Sequence, residues 1–176
     1  MKIKNLGNMV ILVCAFIPWT SHAIKITGKT SSKVTAFVNN NQRVQVTAPD
    51  GGWYNQPLEL QPVGPKNTRF ELDIPIKVET TTGAFVVSLD SPVVLTHQES
   101  PEFVFRDVQV RMGNSDHSAK VLSSTPTLFV NTIQPSENIE SSEVYVININ
   151  ALPPENGAAG GYIGEMSLTF EPEIEP

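Results

Sequence analysis

Cysteine is nearly absent from the 176 residues, occurring once as Cys14, and histidine occurs three times, as His22, His97 and His117. A lone cysteine forms neither an intramolecular disulfide nor a cysteine-rich zinc site, and neither His97 nor His117 has a second histidine at metal-ligand spacing. Both lie in polar stretches, Thr96-His97-Gln98-Glu99 and Asp116-His117-Ser118, which predicts two surface histidines. Basic runs are missing too. The formal net charge is −6, and an acidic chain without a basic patch argues against a nucleic-acid partner. There is no phosphate-cradling glycine loop and no nucleophile elbow. Glu59, Glu71, Asp73 and Glu79 fall mostly on the water side of strand patterns, where carboxylates serve solvation. These absences leave no catalytic constellation, no metal site and no cofactor site, so the expectation is a protein that is not an enzyme. No stretch sustains a period of 3.6, and no internal repeat is visible.

The chain starts with a targeting segment. Lys2 and Lys4 precede an apolar run from Met9 to Trp19, and Ser21-His22-Ala23 fits a small-x-small cleavage site, the layout of a secretory signal peptide. The run is shorter than the roughly 20 residues of a membrane span, and Pro18 interrupts it. Val13 is too bulky for the position before a lipid-modified Cys14. Cleavage after Ala23 is expected; removing 23 of the 176 residues leaves 153, enough for one domain. Two lysines and no acid leave with the signal, so the formal charge becomes −8. The expected organisation is a signal peptide over 1–23, an amino-terminal segment over 24–40 and a body over 41–176.

Short runs of period two fill the body, separated by turn signals. Strands are predicted over Arg43 to Thr47, Pro57 to Val63, Arg69 to Glu79, Ala84 to Leu89, Val93 to Thr96, Phe103 to Met112, Ala119 to Leu122, Leu128 to Val130 and Ser142 to Ile149. The strongest turn is Pro49-Asp50-Gly51-Gly52. Beside it stand Trp53 and Tyr54, a pair that stacks on a sugar or, more commonly, covers one end of a sandwich. Phe70, Leu72, Ile74, Ile76 and Val78 alternate with polar neighbours, but Pro75 cannot donate to a ladder and marks an edge or an irregularity. The apolar parity changes near Arg106-Asp107, which predicts a bulge or two-sided burial. Ser142 to Ile149 is apolar on both parities, as a central strand is. Many short strands with regular turns predict an all-β sandwich.

Two terminal segments frame this body. Gly160 to Glu171 is predicted as a final strand with Tyr162, Met166, Leu168 and Phe170 on one face. Gly164 interrupts that face, which suggests a bulge or a close approach by another backbone. Only Glu-Pro-Glu-Ile-Glu-Pro follows Phe170, so this strand is expected to keep an open edge, a surface that recruits other chains. At the other end, Ser32, Val34, Ala36 and Val38 share a face with small to medium side chains. Two readings stand for Ile24 to Asn40: a first strand of the body, or a detached arm.

The mature chain resembles the pilins of the colonization factor antigen type, the class 5 or alternate chaperone-usher fimbriae of Gram-negative enteric bacteria. Lys33-Val34-Thr35-Ala36-Phe37-Val38 resembles their amino-terminal strand, Ala48-Pro49-Asp50-Gly51 their following turn, and Val121-Leu122-Ser123 a stretch after a hairpin. Ser141-Ser142-Glu143 precedes the penultimate strand as in the family, and Gly161-Tyr162-Ile163-Gly164-Glu165-Met166-Ser167-Leu168 is similar to the terminal motif. The resemblance departs at Asn39-Asn40, where the family has Asp-Pro; without that proline's fixed φ the bend is less constrained.

The resemblance implies an incomplete immunoglobulin-like β-sandwich lacking its last strand, with an amino-terminal donor-strand arm. It implies a structural fimbrial subunit, built into a surface fibre used in adhesion and exported through the periplasm to the cell-surface fimbrium. Implied partners are other copies of itself or related pilins, a periplasmic chaperone, an outer-membrane usher and a tip adhesin. Carried onto this chain, Ser32, Val34, Ala36 and Val38 are the donor strand, and Tyr162, Met166, Leu168 and Phe170 the acceptor groove and chaperone-binding wall. The alternatives are a minor fimbrial subunit or a self-complete secreted β-sandwich that binds a ligand, with Ile24 to Val38 folded onto its own body.

Overall fold

The structure, a computed structural model, describes residues 42–54, 57–65, 68–114, 118–136, 140–156 and 159–173. The amino-terminal segment 24–40, with Ser32, Val34, Ala36 and Val38, lies outside the described residues, as does His117. Eleven strands are named along the described chain: β1 (Val44–Thr47), β2 (Gln61–Val63), β3 (Arg69–Thr80), β4 (Ala84–Leu89), β5 (Thr96–His97), β6 (Arg106–Gly113), β7 (Lys120–Val121), β8 (Thr127–Val130), β9 (Ser141–Leu152), β10 (Tyr162–Ile163) and β11 (Leu168–Pro172). All their pairings are antiparallel.

The larger sheet runs β1-β3-β9-β6-β7, with β2 also pairing β3. β9 is its centre, laddered to β3 on one side and β6 on the other, as its run of β-branched residues predicts. Tyr145, Ile147 and Ile149 point into the core, while Val144 and Val146 stay exposed on the outer face. β3 shares its far edge between two short strands: β2 covers Arg69 to Glu71 and β1 covers Lys77 to Thr80. Pro75 sits in the gap between them. Its carbonyl accepts a 2.6 Å hydrogen bond from the Tyr54 hydroxyl, so its backbone faces away from β9 and its missing N–H leaves no ladder bond unmade.

The expected irregularity at Arg106-Asp107 is a bulge. The β6–β9 register shifts between Arg106 and Gln109, and Asp107 takes a φ of 49°, a left-handed conformation that aspartate tolerates better than most residues. The extra residue lets Phe105 before the bulge, and Val110 and Met112 after it, all point inward.

The smaller sheet runs β11-β4-β8 and faces the larger one. In β4, Phe85, Val87 and Leu89 are buried. In β8 the inward residue is Phe129, while Leu128 and Val130 face outward. Two aromatic groups fill the interior. Phe85 lies against Phe129, Phe170 and Tyr145 with centroids 5.5–6.3 Å apart; a second column links Phe70, Phe105, Tyr162, His97 and Phe103. On the β7–β8 side, Lys120 lies 5.0 Å from the Phe129 ring centroid and donates to the Leu128 carbonyl at 2.6 Å. Trp53 and Tyr54 meet each other edge to face, and both, part-buried, pack against the core, so they cover the sandwich.

Several expectations are corrected. Of the strand predicted over Val93 to Thr96 only Thr96 lies in a named strand, β5, and of Pro57 to Val63 only Gln61 to Val63, β2. The final segment is not one strand: β10 pairs β5, β11 pairs β4, and residues 164–167 between them carry no ladder. Gly164 explains the break. A Cβ there would stand 2.5 Å from the Val94 carbonyl oxygen, so the backbone comes closer at this point than any side chain permits. His97 is no surface histidine. It is 6% exposed, with Nδ1 accepting the Glu99 and Ser100 amides at 3.1 and 3.0 Å and its ring edge-on to Tyr162 at 4.9 Å.

Candidate functional site

Among the described residues β11 is an end strand of the smaller sheet. Its pairing with β4 aligns Leu168 with Leu89, Phe170 with Val87 and Pro172 with Phe85. The flanking backbone bonds also run to the β4 side: the Asp90 amide donates to the Ser167 carbonyl at 3.0 Å, and the Glu173 amide to the Ala84 carbonyl at 3.1 Å. On the outer face the Thr169 hydroxyl donates to Asp90 Oδ1 at 2.7 Å, and the Ser167 hydroxyl donates to Asp90 as well. Among the described residues no strand pairs with the other edge of β11.

The predicted acceptor residues are all inward. Tyr162, Met166, Leu168 and Phe170 are buried, so their parity survives the break at Gly164. They do not serve one ladder, however. Tyr162 stands opposite His97 in the β10–β5 pair and belongs to the far aromatic column, 4.9 Å from Phe105. Met166, Leu168 and Phe170 line the approach to β11 and the strand itself. On the side where no described strand pairs β11 stands β1, whose Val44 and Val46 are inward and buried. β1 and β11 meet across this side without a ladder between them. β1 is held by β3 instead, and its entry is tied by reciprocal bonds, Arg43 N–H to Thr81 Oγ1 at 2.9 Å and Thr81 N–H to the Arg43 carbonyl at 3.2 Å.

This arrangement has one plain chemical capacity. A sheet edge that no described strand covers, backed by buried apolar side chains, is the kind of surface to which an extended peptide can add a strand, the ladder giving affinity and alternate side chains specificity. Among the described residues no three His, Cys, Asp or Glu side chains gather to hold a metal ion. Sequence reasoning missed one feature nearby, the buried polar cluster beside β9. Asn131 Nδ2 donates to Ser141 Oγ at 2.8 Å, and the Tyr145 hydroxyl donates to Asn131 Oδ1 at 3.0 Å. Burial, with Glu143 adding to it, pushes the Tyr145 hydroxyl well above the ordinary tyrosine range.

Comparison with known proteins places these features in context. The family described as CS1 type fimbrial major subunit matches residues 29–171. The solved structure of the CooA pilin subunit from enterotoxigenic Escherichia coli is similar over 76% of this chain and 99% of that chain, with a TM-score of 0.48 and 16% identity. No curated protein matched the sequence.

Proposed function

Because the chain belongs to the CS1 type fimbrial major subunit family, a family of structural pilus subunits that self-associate into surface fibres, we propose that it polymerises by strand donation through β11. The observation that carries this reading is the edge of β11, unpaired among the described residues and backed by buried Met166, Leu168 and Phe170. The donor is the amino-terminal arm over 24–40 of a neighbouring copy, with Val34, Ala36 and Val38 entering the groove and Ser32 at its weaker end. Tyr162, anchored in the aromatic column, closes the far end of the same wall. Small donor side chains suit a strand that must slide into a preformed slot. Burying Val34 and Val38 contributes about 1.5 to 3 kcal/mol each; the ladder supplies the rest of a lasting junction. Before assembly the same edge is the natural seat of a periplasmic chaperone, and an outer-membrane usher exchanges that chaperone for the next arm. The body contributes structure and no catalysis, and a tip adhesin heads the fibre.

The test uses a chain beginning at Asn41, produced in the periplasm with its chaperone, and a peptide of residues 24–40. A saturable rise in melting temperature on adding peptide is expected, lost when the peptide carries Val34→Asp and Val38→Asp. An unchanged, cooperative melt with and without peptide overturns the reading.

A further inference from the structure

One end of the sandwich carries a groove that the strand-donation reading leaves unused. It has a volume of about 480 Å³ and is lined by Gln42, Thr82, Ala84, Leu128, Val130, Gln134 and Glu173. Its apolar part is β8's outward side, where Leu128 is 44% and Val130 47% exposed; Ile133, just beyond, is 67% exposed. Polar groups stand around it: the side chains of Gln42, Gln134 and Glu173, with Gln134 Nε2 donating to the Asn131 carbonyl at 2.7 Å. Exposed apolar side chains set among polar ones are what a protein–protein contact is made of.

Chain connectivity names the occupant. Gln42, on the groove wall, is the first described residue, so the amino-terminal segment joins the body at this end. Only Asn39, Asn40 and Asn41 separate Gln42 from Val38, the last inward residue of the donor strand. Fully extended, that connection reaches about 14 Å at roughly 3.5 Å per residue. An arm seated in a neighbour therefore brings the neighbour's body against the end of the sandwich from which the arm leaves.

We propose that this groove, with the exposed Leu128 and Val130 in its lining, is a docking face for the body of a second copy of the chain. The inference rests on the strand-donation reading and adds to it a contact between bodies. The tether makes that contact effectively intramolecular, so a modest apolar patch suffices to set the angle between successive subunits. Both Gln42, the first described residue, and Glu173, just after β11, line it, so the groove lies beside the end of β11 as well as the point where the chain enters the body.

Residues 24–176 contain no cysteine, which provides a direct test. Full-length chains carrying Val130→Cys, and separately Leu128→Cys, are assembled and divided by size into monomer and polymer. Maleimide labelling is expected to be about tenfold or more slower in polymer than in monomer, since a packed interface core excludes solvent. Val130→Arg is expected to lower polymer yield while monomer melting and uptake of the 24–40 peptide stay unchanged. If both cysteines label equally fast in polymer and monomer, strand donation stands and the docking face is wrong. If unsubstituted chains form no polymer at all, strand donation fails and the docking face falls with it.

Discussion

Two glycines carry much of the far end of the fold. Gly164 lies where a Cβ would meet the Val94 carbonyl oxygen at 2.5 Å, and Gly160 where one would meet His97 Nε2 at 2.1 Å. The first obstacle is backbone and cannot rotate away. The second is a side chain, but one pinned by the hydrogen bonds that the Glu99 and Ser100 amides donate to Nδ1 and by Tyr162. Gly164→Ala is therefore expected to destabilise the chain by about 1 to 3 kcal/mol, the usual cost of overpacking, measured by urea unfolding. Gly160→Ala should cost a similar amount in the presence of His97, and much less in a His97→Ala background; equal costs in both backgrounds would refute the contact. A glycine inside an alternating run already signals a close approach, so Gly164 was legible from the chain. The burial of His97 was not, because its neighbours in sequence, Gln98 and Glu99, are polar while its neighbours in space, Phe103 and Tyr162, arrive from elsewhere.

Among the elements, β3 and β9 show how ladder position decides what a proline does. Pro75 faces the gap between β1 and β2, whereas its register partner Val146 lies in β9 between two ladders, opposite Pro75 and Gly113. Pro75→Ala is expected to change stability by no more than about 0.5 kcal/mol, as for surface substitutions that make no new conflict. Val146→Pro is expected to cost about 3 kcal/mol or more, since it removes a ladder bond in a central strand. Thermal unfolding of the two variants decides between them; a large loss from Pro75→Ala would mean that its backbone is not in the gap. The alternation of Phe70 to Val78 and the double parity of Ser142 to Ile149 made both strands readable. The split of the last segment into β10 and β11 was not readable, because parity runs unbroken through Tyr162, Met166, Leu168 and Phe170 while the hydrogen-bonding partner changes from β5 to β4.

At the scale of the molecule, the tyrosines report on the sandwich as a unit. Tyr54, Tyr145 and Tyr162 are the three tyrosines of the chain, and burial raises the hydroxyl of each above its usual range. A raised folded-state value means that the folded chain holds protons that the unfolded chain releases above about pH 10. Stability is thus complete below that pH and declines as pH rises through and beyond it. Spectrophotometric titration is expected to show tyrosinate absorbance lagging behind free tyrosine and then appearing together with loss of fold. Tyr145→Phe should flatten the alkaline decline. Three independent titrations near pH 10 with the fold intact would contradict this.

The amino-acid order by itself determined the all-β class, an irregularity at Arg106-Asp107, the inward set on the last segment and the kinship with fimbrial subunits, because period-two burial, turn chemistry and motif order are read along the chain. Tertiary structure alone decided that Met166, Leu168 and Phe170 back an edge whereas Tyr162 belongs to an aromatic column. It also decided that Leu128 and Val130 face outward in a groove that Gln42 shares. The physical reason is that a strand's side-chain parity is set by its own backbone, while its hydrogen-bonding partner and the far side of the sheet are set by segments distant in sequence.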